Sequence, residues 1–309
     1  MGMALPAMGA VDSPATQPAI DDELTEVLVV APEPRYVAPT RRDRIGRVWV
    51  PVMINGEGPF RLVLDSGAMR SAVNLDVAQR LRKPTNVSPP VLLRGVTGTA
   101  IVPTIEVANL SVGDLSVGPA MLPIISDAFG GAEGLLGMFG MENKRIYIDF
   151  HNDFINVSLS RNRRAAAGFE TVPFIKDPLQ LVVVRARVGA SRLPVRAIID
   201  TGAQASIGNE ALRFALQRQI NRKPQTKDEI TGATGDMQSG LGVQITPILL
   251  GGIAIRDAHV TFGDMHIFER WNVGEEPALV IGMDILGLLD TFVIDYRRQE
   301  LHIKALRPS

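Results

Sequence analysis

The sequence predicts an all-β protein with a minor share of helix, folded as two copies of one lobe with a cleft between them. Three observations carry that expectation: a turn-rich composition, apolar runs of strand length, and a self-match at a spacing of 135 residues. The 29 glycines and 21 prolines punctuate many short Val/Ile/Leu runs in a chain with only 5% aromatic residues. With 309 residues, 46% of them hydrophobic, the chain can bury one large core or two of ordinary size.

Composition also removes several functions. Lys+Arg (32) and Asp+Glu (33) nearly cancel and no basic run is interleaved with aromatics, so no nucleic-acid partner is expected. The lack of cysteine excludes a disulfide framework, a thiolate metal site and a cysteine nucleophile. The four histidines, His151, His259, His266 and His302, have no ligand spacing, so neither a metal nor another cofactor is expected. No window of about 18 uncharged apolar residues exists, and no stable membrane insertion is expected.

In chain order, residues 1–46 carry six prolines and little periodicity, which fits an extended or disordered arm. Its start, MGMALPAMGA, reads either as the remnant of a secretory signal, implying a periplasmic or secreted protein, or as a plain terminal extension. The apolar run at 27–30 is expected to add a strand. A first lobe follows at 47–158, then a basic, alanine-rich linker at 159–169 containing Arg161, Arg163 and Arg164, and a second lobe at 170–305.

The repeat supports that division. A shift of 135 places Pro59 on Pro194, Arg61 on Arg196, Asp65 on Asp200, Gly67 on Gly202, Ala68 on Ala203 and Ser71 on Ser206. A shift of 137 aligns Gly95-Val96-Thr97-Gly98 with Gly232-Ala233-Thr234-Gly235. Further on, Leu135-Leu136-Gly137-Met138 matches Val280-Ile281-Gly282-Met283, and Tyr147-Ile148-Asp149 matches Val293-Ile294-Asp295. Within this frame, strands are expected at 48–54 and 61–64, joined by the turn Asn55-Gly56, and at 181–188 and 195–199. Helices are expected at 75–82 and 210–220, capped by Asn74 and Asn209.

The chemistry rests on the paired turns Asp65-Ser66-Gly67-Ala68 and Asp200-Thr201-Gly202-Ala203. In each, an apolar strand delivers a carboxylate to a rigid place and glycine allows a tight turn beside it. A strand-end aspartate that merely caps its turn is the alternative for either residue alone. If the turns face each other, Ser66 and Thr201 can bond across. Two carboxylates about 3 Å apart cannot both ionise, so one serves as base and the other as acid for a water attacking a carbonyl. The glycine-bracketed turns at 95–98 and 232–235 are either ordinary hairpin tips or lids over the site. Trp49 and Trp271 read as packing residues, although the charged residues before Trp271 could border a cleft.

These residues resemble the retropepsin-like and pepsin-like aspartic peptidases. The wording at 54–68 (INGEGPFRLVLDSGA) and 281–286 (IGMDIL) is similar to bacterial retropepsin-type proteins with two lobes in one chain. The resemblance covers about residues 47–305. It implies duplicated acid-protease β-barrel lobes and an aspartic-type endopeptidase cutting a protein or peptide substrate, with Asp65 and Asp200 catalytic. It makes Gly95 to Gly98 and Gly232 to Gly235 flap and substrate-binding candidates, and 135–137 and 280–282 the elements packed behind the catalytic turns. The flap tyrosine of pepsin-type members is missing. Ser66 stands where the second lobe has Thr201, which suggests a looser interlock, and Phe139 stands opposite Asp284. Pairing of both lobes within one chain implies a monomer, with a non-catalytic peptide binder on the same fold as the other reading.

Overall fold

The computed structural model describes residues 1, 28–30, 48–85, 87–126, 131–152, 154–177 and 179–305. Most of the arm expected at 1–46, including its small apolar start, lies outside the described residues. Leu28–Val30 is a strand, paired antiparallel with Phe154–Leu159. Among the described residues no helix is long and apolar enough to cross a membrane.

Each lobe begins with a hairpin whose second strand ends at an aspartate. Trp49–Ile54 and Glu57–Leu64 pair antiparallel across Asn55 (φ 53°) and Gly56 (φ 77°), the left-handed pair that a two-residue hairpin with native twist requires. The second lobe repeats this with Val182–Val188 and Leu193–Ile199. Continuous apolar runs precede both aspartates because these strands are buried on both faces. Leu62 and Leu64 enter the main core while Val63 faces a separate cluster with Trp49, Ala72 and Leu135. In the second lobe Ala197 and Ile199 enter the main core and Ile198 joins Leu181, Phe268 and Trp271.

Behind each hairpin strand lies a short parallel partner. Gly134–Leu136 runs parallel to the 57–64 strand and antiparallel to Ala72–Val73. Ala278–Ile281 takes the same place between Leu193–Ile199 and Ser206–Gly208.

Two hairpins, Lys144–Asp149 with Phe154–Leu159 and Leu289–Asp295 with Glu300–Ala305, join the lobes through one antiparallel sheet. Tyr147, matched to Val293 by the repeat, pairs directly with Val293, so the pseudo-twofold axis passes between them. Leu28–Val30 ends the sheet on one side, and Glu170–Lys176 carries it on into the second lobe by pairing with Val182–Val188 as well. Residues 160–169 carry neither strand nor helix, and Arg161, Arg163 and Arg164 are exposed.

Asn74 and Asn209 cap helices, each side chain accepting from the amide three residues on. The first helix is Leu75–Arg80. The helix expected at 210–220 is two, Glu210–Ala215 and Gln217–Ile220, separated by Leu216 at φ −98°, ψ 6°. The break costs a backbone bond but leaves Leu212, Leu216 and Ile220 all buried in the main core.

Candidate active site

Asp65 and Asp200 stand at the ends of their strands, and each main-chain amide is fixed from behind. The amide of Asp65 donates to the Leu136 carbonyl and that of Asp200 to the Ile281 carbonyl, both at 3.0 Å. The turns that follow are pinned the same way: Met138 N bonds Ala68 O and Met283 N bonds Ala203 O. Sequence-distant apolar strands thereby hold the two loops rigid.

The loops then exchange hydroxyls. Ser66 Oγ donates to the Ile199 carbonyl (2.8 Å) and accepts from Thr201 N (3.0 Å). Thr201 Oγ1 donates to the Leu64 carbonyl (2.8 Å) and accepts from Ser66 N (3.1 Å). Both residues are buried, so each bond is shielded from competing water. The matched lengths show that the methyl missing from Ser66 does not loosen the interlock, because the hydroxyl alone makes the cross-lobe bonds.

Each carboxyl lies against the other lobe's glycine. A Cβ on Gly67 would stand 2.5 Å from Asp200 Oδ2, and one on Gly202 would stand 2.6 Å from Asp65 Oδ1. Glycine is therefore required here for close approach. Asp65 Oδ1 accepts from Gly67 N at 2.9 Å, and Asp200 Oδ1 from Gly202 N at 2.9 Å and Ala203 N at 3.1 Å. Asp200 is only 5% exposed, whereas Asp65 is partly open. Beneath them the phenol of buried Tyr296 is pushed up in pKa by burial and by the field of Asp65, and it stays neutral.

Both aspartates line one cavity of about 660 Å³ between the lobes. Its roof is made of two hairpins, Val91–Arg94 with Thr99–Val102 and Gln225–Thr231 with Met237–Ile245. Gly95, Val96, Gly232 and Ala233 face the cavity. The hairpin tips meet each other: Thr97 Oγ1 lies 3.5 Å from Thr234 Oγ1, and Gly98 and Gly232 have no room for a side chain beside Asp236 and Thr97. Gly235 (φ 85°) closes the second tip beside Ser126, whose hydroxyl bonds the Ala233 carbonyl. The tips also cross over, with Val96 packing on the second lobe's cluster and Ala233 on the first lobe's.

Two residues matter more than the sequence suggested. Trp271 is buried in the second lobe's cluster and also forms part of the cavity wall. Asp284, noted only as a mismatch with Phe139, is a half-buried support. Its carboxylate accepts from Ser206 N (2.9 Å) and Ser206 Oγ (2.7 Å), and Ser206 Oγ accepts from Gly282 N. Burial pushes the Asp284 carboxyl above its ordinary pKa, partly offset by the bonds from Ser206 and Ile285. In the first lobe Ser71 Oγ accepts from Gly137 N, and Phe139 points outward. The matched Ser71 and Ser206 were the sequence signal for this network.

A family model described as aspartyl protease matches residues 50–139 and 184–285, one stretch in each lobe. Among solved structures, the aspartic proteinase from Irpex lacteus superposes with a TM-score of 0.52 at 12% identity, covering 83% of this chain and 93% of that one. At that identity the likeness concerns the fold. No curated sequence matches the chain.

Proposed function

The chain belongs to the aspartyl protease family, and from that premise we propose that it is an aspartic endopeptidase whose catalytic pair is Asp65 and Asp200. The observation that carries this reading is the reciprocal hydroxyl exchange, which holds two strand-end carboxyls at the floor of one cavity, each against the opposite glycine. Two carboxyl groups within hydrogen-bond reach of each other share one proton. The ionised member takes a proton from a water molecule as its oxygen attacks the peptide carbonyl carbon. The protonated member donates to the carbonyl oxygen, giving a tetrahedral diol. As the C–N bond breaks, the protonated carboxyl gives its proton to the departing amine and the other carboxylate takes one from a diol hydroxyl, which leaves the pair singly protonated. Asp200, accepting from Gly202 and Ala203 amides, is suited to hold negative charge.

The substrate is an extended protein segment lying beneath both hairpins, where exposed backbone groups can add a strand. Both lobes lie in one chain, which supports a monomeric enzyme; gel filtration of an active sample would check it.

Asp65→Asn and Asp200→Asn should each lower cleavage of an unfolded protein by about a thousandfold or more, as expected when one member of a catalytic unit is lost. Circular dichroism should be unchanged, and a statine-type transition-state mimic should inhibit the parent protein. Cleavage that survives both substitutions would remove the pair from the mechanism. Binding of extended peptides with no cleavage at any pH would instead support the peptide-binding reading.

A further inference from the structure

The two ends of the cavity differ in charge. Arg70 follows two residues after Ala68, and Arg94 sits beside Leu93; Ala68 and Leu93 pack on the same apolar cluster. Both arginines are exposed cavity residues, and among the described residues neither forms an ion pair. The repeat puts Ala205 and Thr231 at the corresponding places of the second lobe. The charged residues there are Glu229, beside Ile230, and Arg270, beside Trp271, and both neighbours pack on the second lobe's cluster. One end therefore carries two cations without a carboxylate, while the other carries one charge of each sign.

We propose that Arg70 and Arg94 form a subsite that selects a carboxylate side chain on one side of the scissile bond, so that the substrates are peptides acidic on that side. This deepens the peptidase reading and rests on it. Arginine matches a carboxylate with paired N–H donors, and Arg70 follows the first lobe's floor loop while Arg94 ends a roof strand above the same cavity. Among the described residues neither arginine forms an ion pair with Asp65 or Asp200.

The test uses the full chain carrying Asp200→Asn, so that binding is read without turnover. Labelled peptides with a central apolar pair carry a single Glu or Gln two residues before or two residues after that pair, and affinity is measured by fluorescence anisotropy near pH 6. Glu should bind about tenfold tighter than Gln on one side only, the scale of one charged hydrogen bond. That ratio should fall to near one with Arg70→Gln and Arg94→Gln combined, and should turn toward Lys with Arg94→Glu. It should also fade below about pH 4, where a peptide glutamate is protonated. Equal affinity for Glu and Gln, a preference that survives the double substitution, or no binding of either peptide would overturn the proposal. A charge preference with no cleavage by the parent protein would fell the peptidase reading instead.

Discussion

The two lobes present nearly the same carboxylate loop on very different supports. In the loops themselves the hydroxyl bonds match in partner and length, although one lobe uses serine and the other threonine. Away from the loops the likeness ends. The second lobe ties its loop down through Ser206, Gly282 and half-buried Asp284, where the first has Ser71, Gly137 and an outward Phe139. Its roof hairpin is also continuous with the main sheet, since Met237–Ile245 pairs with Ala258–Phe262. The first lobe's hairpin is a separate two-stranded sheet. Near its base the second hairpin carries Asp228, bonded to Thr226 on its own strand and to Thr261 and His259 on the strand beyond its hairpin partner, at the place where the first has Val91. Duplication thus conserved geometry where both lobes must meet and let rigidity diverge where each stands alone: the second lobe is a braced platform and the first a more adaptable partner.

That contrast can be broken or sharpened by measurement. If the interlock is equal on both sides, Ser66→Ala and Thr201→Val should each cost about 2–4 kcal/mol in denaturant unfolding, because each leaves a buried amide and a buried carbonyl unpaired. A much milder loss for one would mean that its lobe does not depend on the exchange. Asp284→Ala should cost about 2 kcal/mol by stripping two bonds from Ser206, whereas exposed Phe139→Ala should stay within about 0.5 kcal/mol. Equal costs for these two would erase the claim that Asp284 gives the second loop a brace the first lacks. Amide hydrogen exchange should be about tenfold faster in the 91–102 hairpin than in the 225–245 hairpin, since the former lacks a neighbouring strand. Comparable protection would make the two hairpins equivalent in spite of their pairing.

The smallest effect concerns Asp228 and depends on pH. Burial raises its pKa, but bonds from Thr261, His259 and Thr226 outweigh that and hold the carboxyl below its ordinary value. Its contribution is therefore present above the unfolded value near 3.8 and is lost as pH falls through the lower folded value. Asp228→Asn should lower stability by no more than about 1 kcal/mol at pH 6, a modest figure because the site is partly exposed. The difference from the parent should narrow as pH falls below 3.8; a gap that stays constant through the acid range would assign the loss to packing.

Much of this architecture was legible from residue order. The Asp-Ser/Thr-Gly-Ala turns, the helix caps Asn74 and Asn209 and the Asn55-Gly56 turn are local signals, each decided by residues within a few positions. The repeat extended them, because two similar stretches must fold similarly. Asp284 was missed because an acid after an apolar-Gly-Met stretch has no local partner: its bonds reach Ser206, 78 positions away. The break at Leu216 was missed because helical spacing continues across it, and burial of three side chains in one core decides the matter.

By itself, then, the sequence determined two lobes, their strand-end aspartates and the glycines beside them, since strand, turn and cap preferences act over short distances. Only the tertiary structure decided that Ser66 reaches Ile199, that each roof hairpin tip packs on the opposite lobe, and that Arg70 and Arg94 line the same cavity. Those pairings join groups far apart along the chain, and they follow from how two buried sheets settle against each other, which no local pattern encodes.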